Sequence, residues 1–153
     1  MEQKHTDIFL TALESVLSQF GFGGVTLNKE STKDQLFIDR DFTVVIGITG
    51  DVKGNIAYSF SSDTARKLVS AMMMGAPVET MDDMAMSAAG ELFNMVTANA
   101  LTLFEKQGKA AAVSLPFVLS GGDIYAIIST VETTALEVDA GGNELELNIA
   151  IEE

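Results

Sequence analysis

The chain has no cysteine, one histidine and two prolines in 153 residues. Without cysteine there is neither a disulfide framework nor a thiolate metal site. His5, the single imidazole, sits in a polar start expected to fray and is assigned no role. A metal shell would rest on scattered carboxylates, so no metal ligands are assigned. Basic residues are scarce as well: 9 Lys and Arg stand against 22 Asp and Glu, a net charge of −13. Such a chain repels nucleic acid and anionic lipid, and no Lys/Arg cluster makes a local exception. A protein partner with a lysine-bearing docking surface remains compatible. Long apolar runs are missing too. The most apolar stretches, 71–78 and 110–119, are broken by Gly75, Pro77, Ser114 and Pro116 and fall short of a membrane span. The first seven residues are polar and lack the apolar core of a secretory signal. A cytoplasmic protein that uses neither membrane nor nucleic acid is expected.

Hydrophobic residues make up 47% of the chain, enough for one core, and residues 1–153 are read as a single domain. Residues 6–20 carry an apolar face of Ile8, Phe9, Ala12, Leu13, Val16, Leu17 and Phe20 and predict a helix ended by Gly21. Strands are predicted at 25–30, within 36–49 and at 55–61, followed by a helix from 62 or 63 to about 74 that Gly75 and Pro77 terminate. After a long helix come a strand at 110–119, where Pro116 marks an edge or bulge, a turn at 120–123 and a long strand at 124–139. A turn at 140–143 leads to a last strand at 144–151 that alternates Leu145, Leu147, Ile149 and Ile151 with polar positions. Both halves thus read as helix, strand, long strand, turn, strand. The pattern suggests a tandem duplication of a helix-plus-three-strand unit in an α+β fold, with a largely antiparallel sheet of about six strands.

The long helix, 80–108, organises the chain. Thr80 and Asp83 resemble a capping box, and Gly108 is a stop. Roughly 26 residues give about 39 Å of helix. One face carries Ala85, Ala89, Phe93, Val96, Ala100, Leu103 and Phe104 and is read as core; the opposite stripe carries Ser87, Glu91, Asn94, Met95, Ala98, Thr102 and Glu105. Glu91 and Asn94 are three apart and project from one side, between the short side chains of Ser87 and Ala98. By spacing alone, an exposed Glu and Asn are more often solvated surface than a site. Asp82 and Asp83 read as partners of the helix dipole, and Met72, Met73 and Met74 as core or interface filler.

Gly90-Glu91-Leu92-Phe93-Asn94-Met95-Val96 resembles the signature of the CheX/CheC family of bacterial chemotaxis phosphatases. In that family a long helix presents an E-x-x-N motif, commonly with a second Asn further on, here Asn99; Ala98 stands where many members have Gly. The first helix has Glu14 but Leu17 three residues later, so a single motif is present, as in CheX-type members. No further module is expected after Glu153, in contrast to flagellar-switch relatives that carry a separate C-terminal domain. The resemblance implies the CheC-like fold, with long helices on one side of the sheet. It also implies a substrate, the aspartyl-phosphate of a CheY-like response regulator in chemotaxis or related two-component signalling.

The implied roles suit the chemistry. An acyl phosphate is already activated, so its hydrolysis needs a placed water more than a strong base. Asn94 would position that water and Glu91 would pair with the regulator's active-site lysine. Ser87, Met95 and Ala98 would border the docking surface. The Mg²⁺ would be supplied by the regulator, with no cofactor held by this chain. The alternative within the same resemblance is a non-catalytic, regulator-binding dimer. Homodimerisation is expected: the last strand, 144–151, leaves unpaired backbone groups if it sits at an edge, and pairing or exchange with a second subunit would satisfy them.

Overall fold

The computed structural model describes residues 2–38, 40–121 and 126–153. Helix α1 (Glu2–Ser18) leads into strands β1 (Val25–Lys33), β2 (Leu36–Ile38), β3 (Phe42–Gly50) and β4 (Lys53–Phe60), then helices α2 (Ser62–Met72) and α3 (Asp83–Glu105). Strands β5 (Ala111–Val113), β6 (Phe117–Ser120), β7 (Ala126–Ser129), β8 (Thr133–Ala140) and β9 (Asn143–Glu152) complete the order. Every pairing among the described strands is antiparallel. The fold is α+β, as expected. The main sheet has seven strands rather than about six, in the order β1-β8-β9-β4-β3-β5, with β6 also pairing β3. A separate two-stranded ribbon joins β2 to β7.

That order carries the duplication in an interlocked form. The hairpins β3–β4 and β8–β9 abut through β4 and β9 at the centre, and the first strand of each unit, β1 or β5, adds to the other unit's hairpin. Exchanging β1 with β5, β3 with β8 and β4 with β9 maps the order onto itself. Neither unit has a complete sheet alone.

Strand alternation sorts the two faces. Val44, Ile46, Ile48, Ile56, Tyr58, Phe60, Leu145, Leu147 and Ile149 face the helices and form one buried cluster with Phe9, Leu13, Leu17, Phe93, Val96 and Phe104. Val45, Ala57 and Ala150 face the other way and are covered by Leu36 of the ribbon, with Leu119, Ile128 and Val131 around them. All three helices therefore lie on one side and the ribbon on the other.

The sheet order and this second layer together settle the place of the last strand. β9 lies inside the sheet between β8 and β4, not at an edge. It is also buried on both faces rather than one: Glu146 and Asn148, expected to be solvated, lie beneath the ribbon. Their burial is tolerable because they are paired. Asn148 donates to Glu146 Oε1 at 2.9 Å and accepts from Lys33 Nζ at 3.0 Å, while Arg40 lies 3.5 Å from Glu146 Oε2.

Other boundaries moved for local reasons. β1 runs past its expected end at residue 30, because its partner β8 supplies a ladder as far as Lys33 opposite Thr133. Residues 122–125, which hold the end of the expected turn and the start of the expected strand at 124–139, lie outside the described residues. Beyond them the strand is two, because β7 pairs with the ribbon and β8 with the main sheet. The expected strand at 110–119 is likewise β5 and β6, interrupted at Pro116. His5 belongs to α1 and is not frayed: its ring is buried, stands edge-on to Phe104, and has Nε2 2.7 Å from Glu153 Oε2. Glu153 also pairs with Lys109, which ties the end of β9 to both helices' neighbourhoods.

Candidate functional site

Helix α3 lies under α1 and against the sheet. Its start is set by Asp82, whose Oδ1 accepts from Ala85 N at 2.8 Å, not by Thr80. A carboxylate is both a strong acceptor for the free amides and a favourable charge at the positive helix end, which places the cap two residues later than the box pattern suggested. Gly108, at φ +84°, closes the far end, with Lys109 N donating to Phe104 O at 3.1 Å. The 23 residues between span about 35 Å.

The buried sector is wider than one apolar stripe. Ala85, Ala89, Phe93, Val96, Ala100 and Phe104 are buried as expected, but Leu103 is only half-buried, and Leu92, Thr97 and Leu101 join the core. Packing from α1, α2 and the sheet covers more than a single face. Two features fix how the helix is rotated. Phe93 stacks on Tyr58 (centroids 4.7 Å apart) and on Phe60 (5.3 Å). Thr97 donates to Phe93 O at 2.9 Å, so its one proton is used, and the 2.8 Å contact with Tyr58 is a bond donated by the phenol. Burial pushes the Tyr58 phenol far above its ordinary pKa, so this donor stays protonated.

With α3 held in this rotation, Ser87, Glu91 and Ala98 form an exposed line, and Asn94 lies within it, half-buried. Glu91 and Asn94 stand about 60° apart around the axis. Among the described residues Glu91 makes no hydrogen bond or ion pair. Asn94 makes no side-chain hydrogen bond either, and its Oδ1 is buried without a partner in the protein. An unpartnered buried acceptor costs about 1–3 kcal/mol, so this carboxamide oxygen adds no hydrogen bond to the fold. Met95, beside the line, packs against the core cluster. Asn99 is half-buried and about 140° around the helix from Asn94, so it does not join the pair.

A groove of about 520 Å³ runs beside Glu91, bounded by Met86, Ser87 and Gly90 on the helix and by Leu115, Pro116 and Val118 across from it. The 115–118 wall was not assigned to a site from the sequence; the available signal was Pro116, which marks a break between strands. Among the described residues no group of three or more His, Cys, Asp or Glu is gathered to hold a metal. Among them, too, no helix is long and apolar enough to cross a membrane.

The family model described as chemotaxis phosphatase CheX matches residues 42–139. A curated relative, the CheY-P phosphatase CheX of Thermotoga maritima, is 44% identical over 96 residues, which cover 63% of this chain and 62% of the relative. A crystal structure of a chemotaxis protein CheX from Desulfovibrio desulfuricans superposes with a TM-score of 0.85 at 22% identity, covering 97% of this chain and 99% of that one. The CheX chain crystallised with CheY, BeF₃ and Mg²⁺ from Borrelia burgdorferi is similar at a TM-score of 0.76 and 22% identity, covering 97% and 98%. At these identities the two structures speak to the fold.

Proposed function

The chain belongs to the chemotaxis phosphatase CheX family, and on that premise we propose that it hydrolyses the aspartyl-phosphate of a CheY-like response regulator, with residues 1–153 acting as one domain. Asn94 positions the attacking water and Glu91 pairs with the regulator's lysine. Water oxygen bonds to phosphorus while the bond from phosphorus to the aspartyl oxygen breaks, which returns the regulator's carboxylate and releases inorganic phosphate. Mg²⁺ comes with the regulator. Ser87 and Ala98 keep the helix surface low on either side of the pair, and Met95 braces it from the core side.

The observation that carries this reading is the state of the Asn94 carboxamide. Neither end is engaged, so a 180° turn of the amide loses no hydrogen bond and presents its oxygen outward. A carbonyl accepting from water is what in-line positioning requires. The test is a time course of label loss from phosphorylated CheY-type regulators with Mg²⁺. The parent is expected to speed it, and Glu91→Ala to raise the KM for regulator about tenfold or more as well as slow turnover, through loss of a docked counter-charge. Unchanged label loss on adding the parent protein would rule out the phosphatase reading and leave the regulator-binding dimer, which pull-down by an unhydrolysed regulator would show.

The homodimer is proposed on a different edge from the one expected. β1 is blunted by Lys29, Lys33 and a register shift at Leu27/Lys29, and the β5–β6 edge is broken by Pro116. The β2–β7 ribbon is a two-stranded sheet with Ile127 half-exposed on its surface. Such ribbons are marginal alone and gain from further pairing. Sedimentation at micromolar protein is expected to give twice 16.3 kDa, with Ile127→Lys shifting it toward monomer; a parent that sediments as a monomer would end this proposal.

A further inference from the structure

Leu115 is 91% exposed, although exposing a leucine forgoes about 1.5–3 kcal/mol of burial. It is not a loose loop residue. Ser114 ties the chain to β3 on one side: its N donates to Gly47 O at 2.8 Å, and its Oγ accepts from Gly47 N at 2.9 Å. On the other side Phe117 and Val118 pair with Val45 and Val44 of β3. Pro116 restricts Leu115 to extended backbone. The kink is thus clamped at both ends, and the side chain is presented outward from a backbone with little freedom left to lose. Gly90 of α3 lets helix and kink approach: a Cβ there would stand 3.5 Å from Pro116 Cγ and 3.6 Å from Val118 Cγ2. Leu115 and Glu91 consequently line two walls of one groove.

We propose that Leu115 is a preorganised apolar anchor for the response regulator, seated in an apolar depression beside the regulator's phosphorylation site while Glu91 engages its lysine. This rests on the phosphatase reading above. Glu91, assigned above to the regulator's lysine, is itself a wall of the groove, which selects that partner, and the charges agree: Asp83 and Glu91 border the groove and favour a surface bearing a cation next to an apolar patch. An anchor on a backbone already held in place contributes to affinity at the cost of ordering its side chain only, so it acts on docking and not on the bond-breaking step.

The experiment uses a CheY-type regulator that the parent protein dephosphorylates, and the same regulator loaded with beryllofluoride and Mg²⁺ for binding. Leu115→Ser is expected to raise the Kd and the KM about tenfold, with kcat at saturating regulator within twofold of the parent. Leu115→Met, which keeps an apolar side chain on the same clamped kink, is expected to bind within about threefold. Leu27→Ala, which trims a partly exposed apolar residue on β1, serves as control and leaves both constants unchanged. A Leu115→Ser protein with the parent's Kd and KM overturns the anchor while leaving the phosphatase reading intact. A parent that dephosphorylates no regulator in the panel overturns both.

Discussion

Asn94→Ala is expected to abolish most of the catalysed dephosphorylation, by about 100-fold or more, in a protein that folds at least as well as the parent. The rate follows from losing the group that holds water in line with the leaving carboxylate, while docking through Glu91 and the groove is untouched. The stability follows from the buried Oδ1 that lacks a partner. Removing an unsatisfied acceptor gives back part of its desolvation cost, and alanine is the better helix former. The melting temperature is therefore expected to hold or rise, and regulator binding to stay within about threefold. A structural role would lower the melting temperature instead. If Glu91→Ala with Asn94→Ala clears regulator phosphate as fast as the parent, the mechanism is wrong.

The neighbouring position is expected to behave in the opposite way. Phe93→Ala removes a fully buried ring stacked on Tyr58 and Phe60, and is expected to cost about 3–5 kcal/mol. That is a large share of the about 5–15 kcal/mol by which domains are stable. For a chain of this size the melting temperature should fall by about 10 °C or more. Because one of the two features that set the rotation of α3 is then lost, the surviving folded fraction should also position Asn94 less well, with kcat reduced and the KM less affected. A denaturant midpoint equal to the parent's would mean that the aromatic stack does not hold the helix. Two adjacent residues on one helix thus separate catalysis from stability.

Much of the layout was legible because it depends on local chemistry. Gly21, Gly75 with Pro77, and Gly108 end the helices where their backbone preferences demand it. The apolar positions of α1 from Ile8 to Leu17 needed only a period of 3.6 to be seen as buried. The spacing of Glu91 and Asn94 placed them on one side of α3 without any coordinates. What failed was what depends on distant partners. Thr80 lost the cap to Asp82, a choice that rests on where the preceding loop delivers the chain. Leu92, Thr97 and Leu101 are buried because α3 is covered on more than one side, which its own periodicity does not report.

By itself the sequence determined the α+β class, the long helix, the E-x-x-N pair and the family whose signature surrounds it, since each is set by residues close in the chain. Only the tertiary structure decided that β9 is central, because sheet order follows from which hairpins pair and not from position along the chain. The ribbon over the far face explains the burial of Glu146 and Asn148, which polarity alone read as solvated. Tertiary packing also decided the state of the pair itself. Clamping by Tyr58, Phe60 and the sheet sets α3 at a rotation where Glu91 is open to solvent and Asn94 is half-sunk with an unengaged oxygen. It brings Leu115, 24 positions further along the chain from Glu91, to the opposite wall of the same groove, a juxtaposition created by the strand pairing of β5 and β6 with β3.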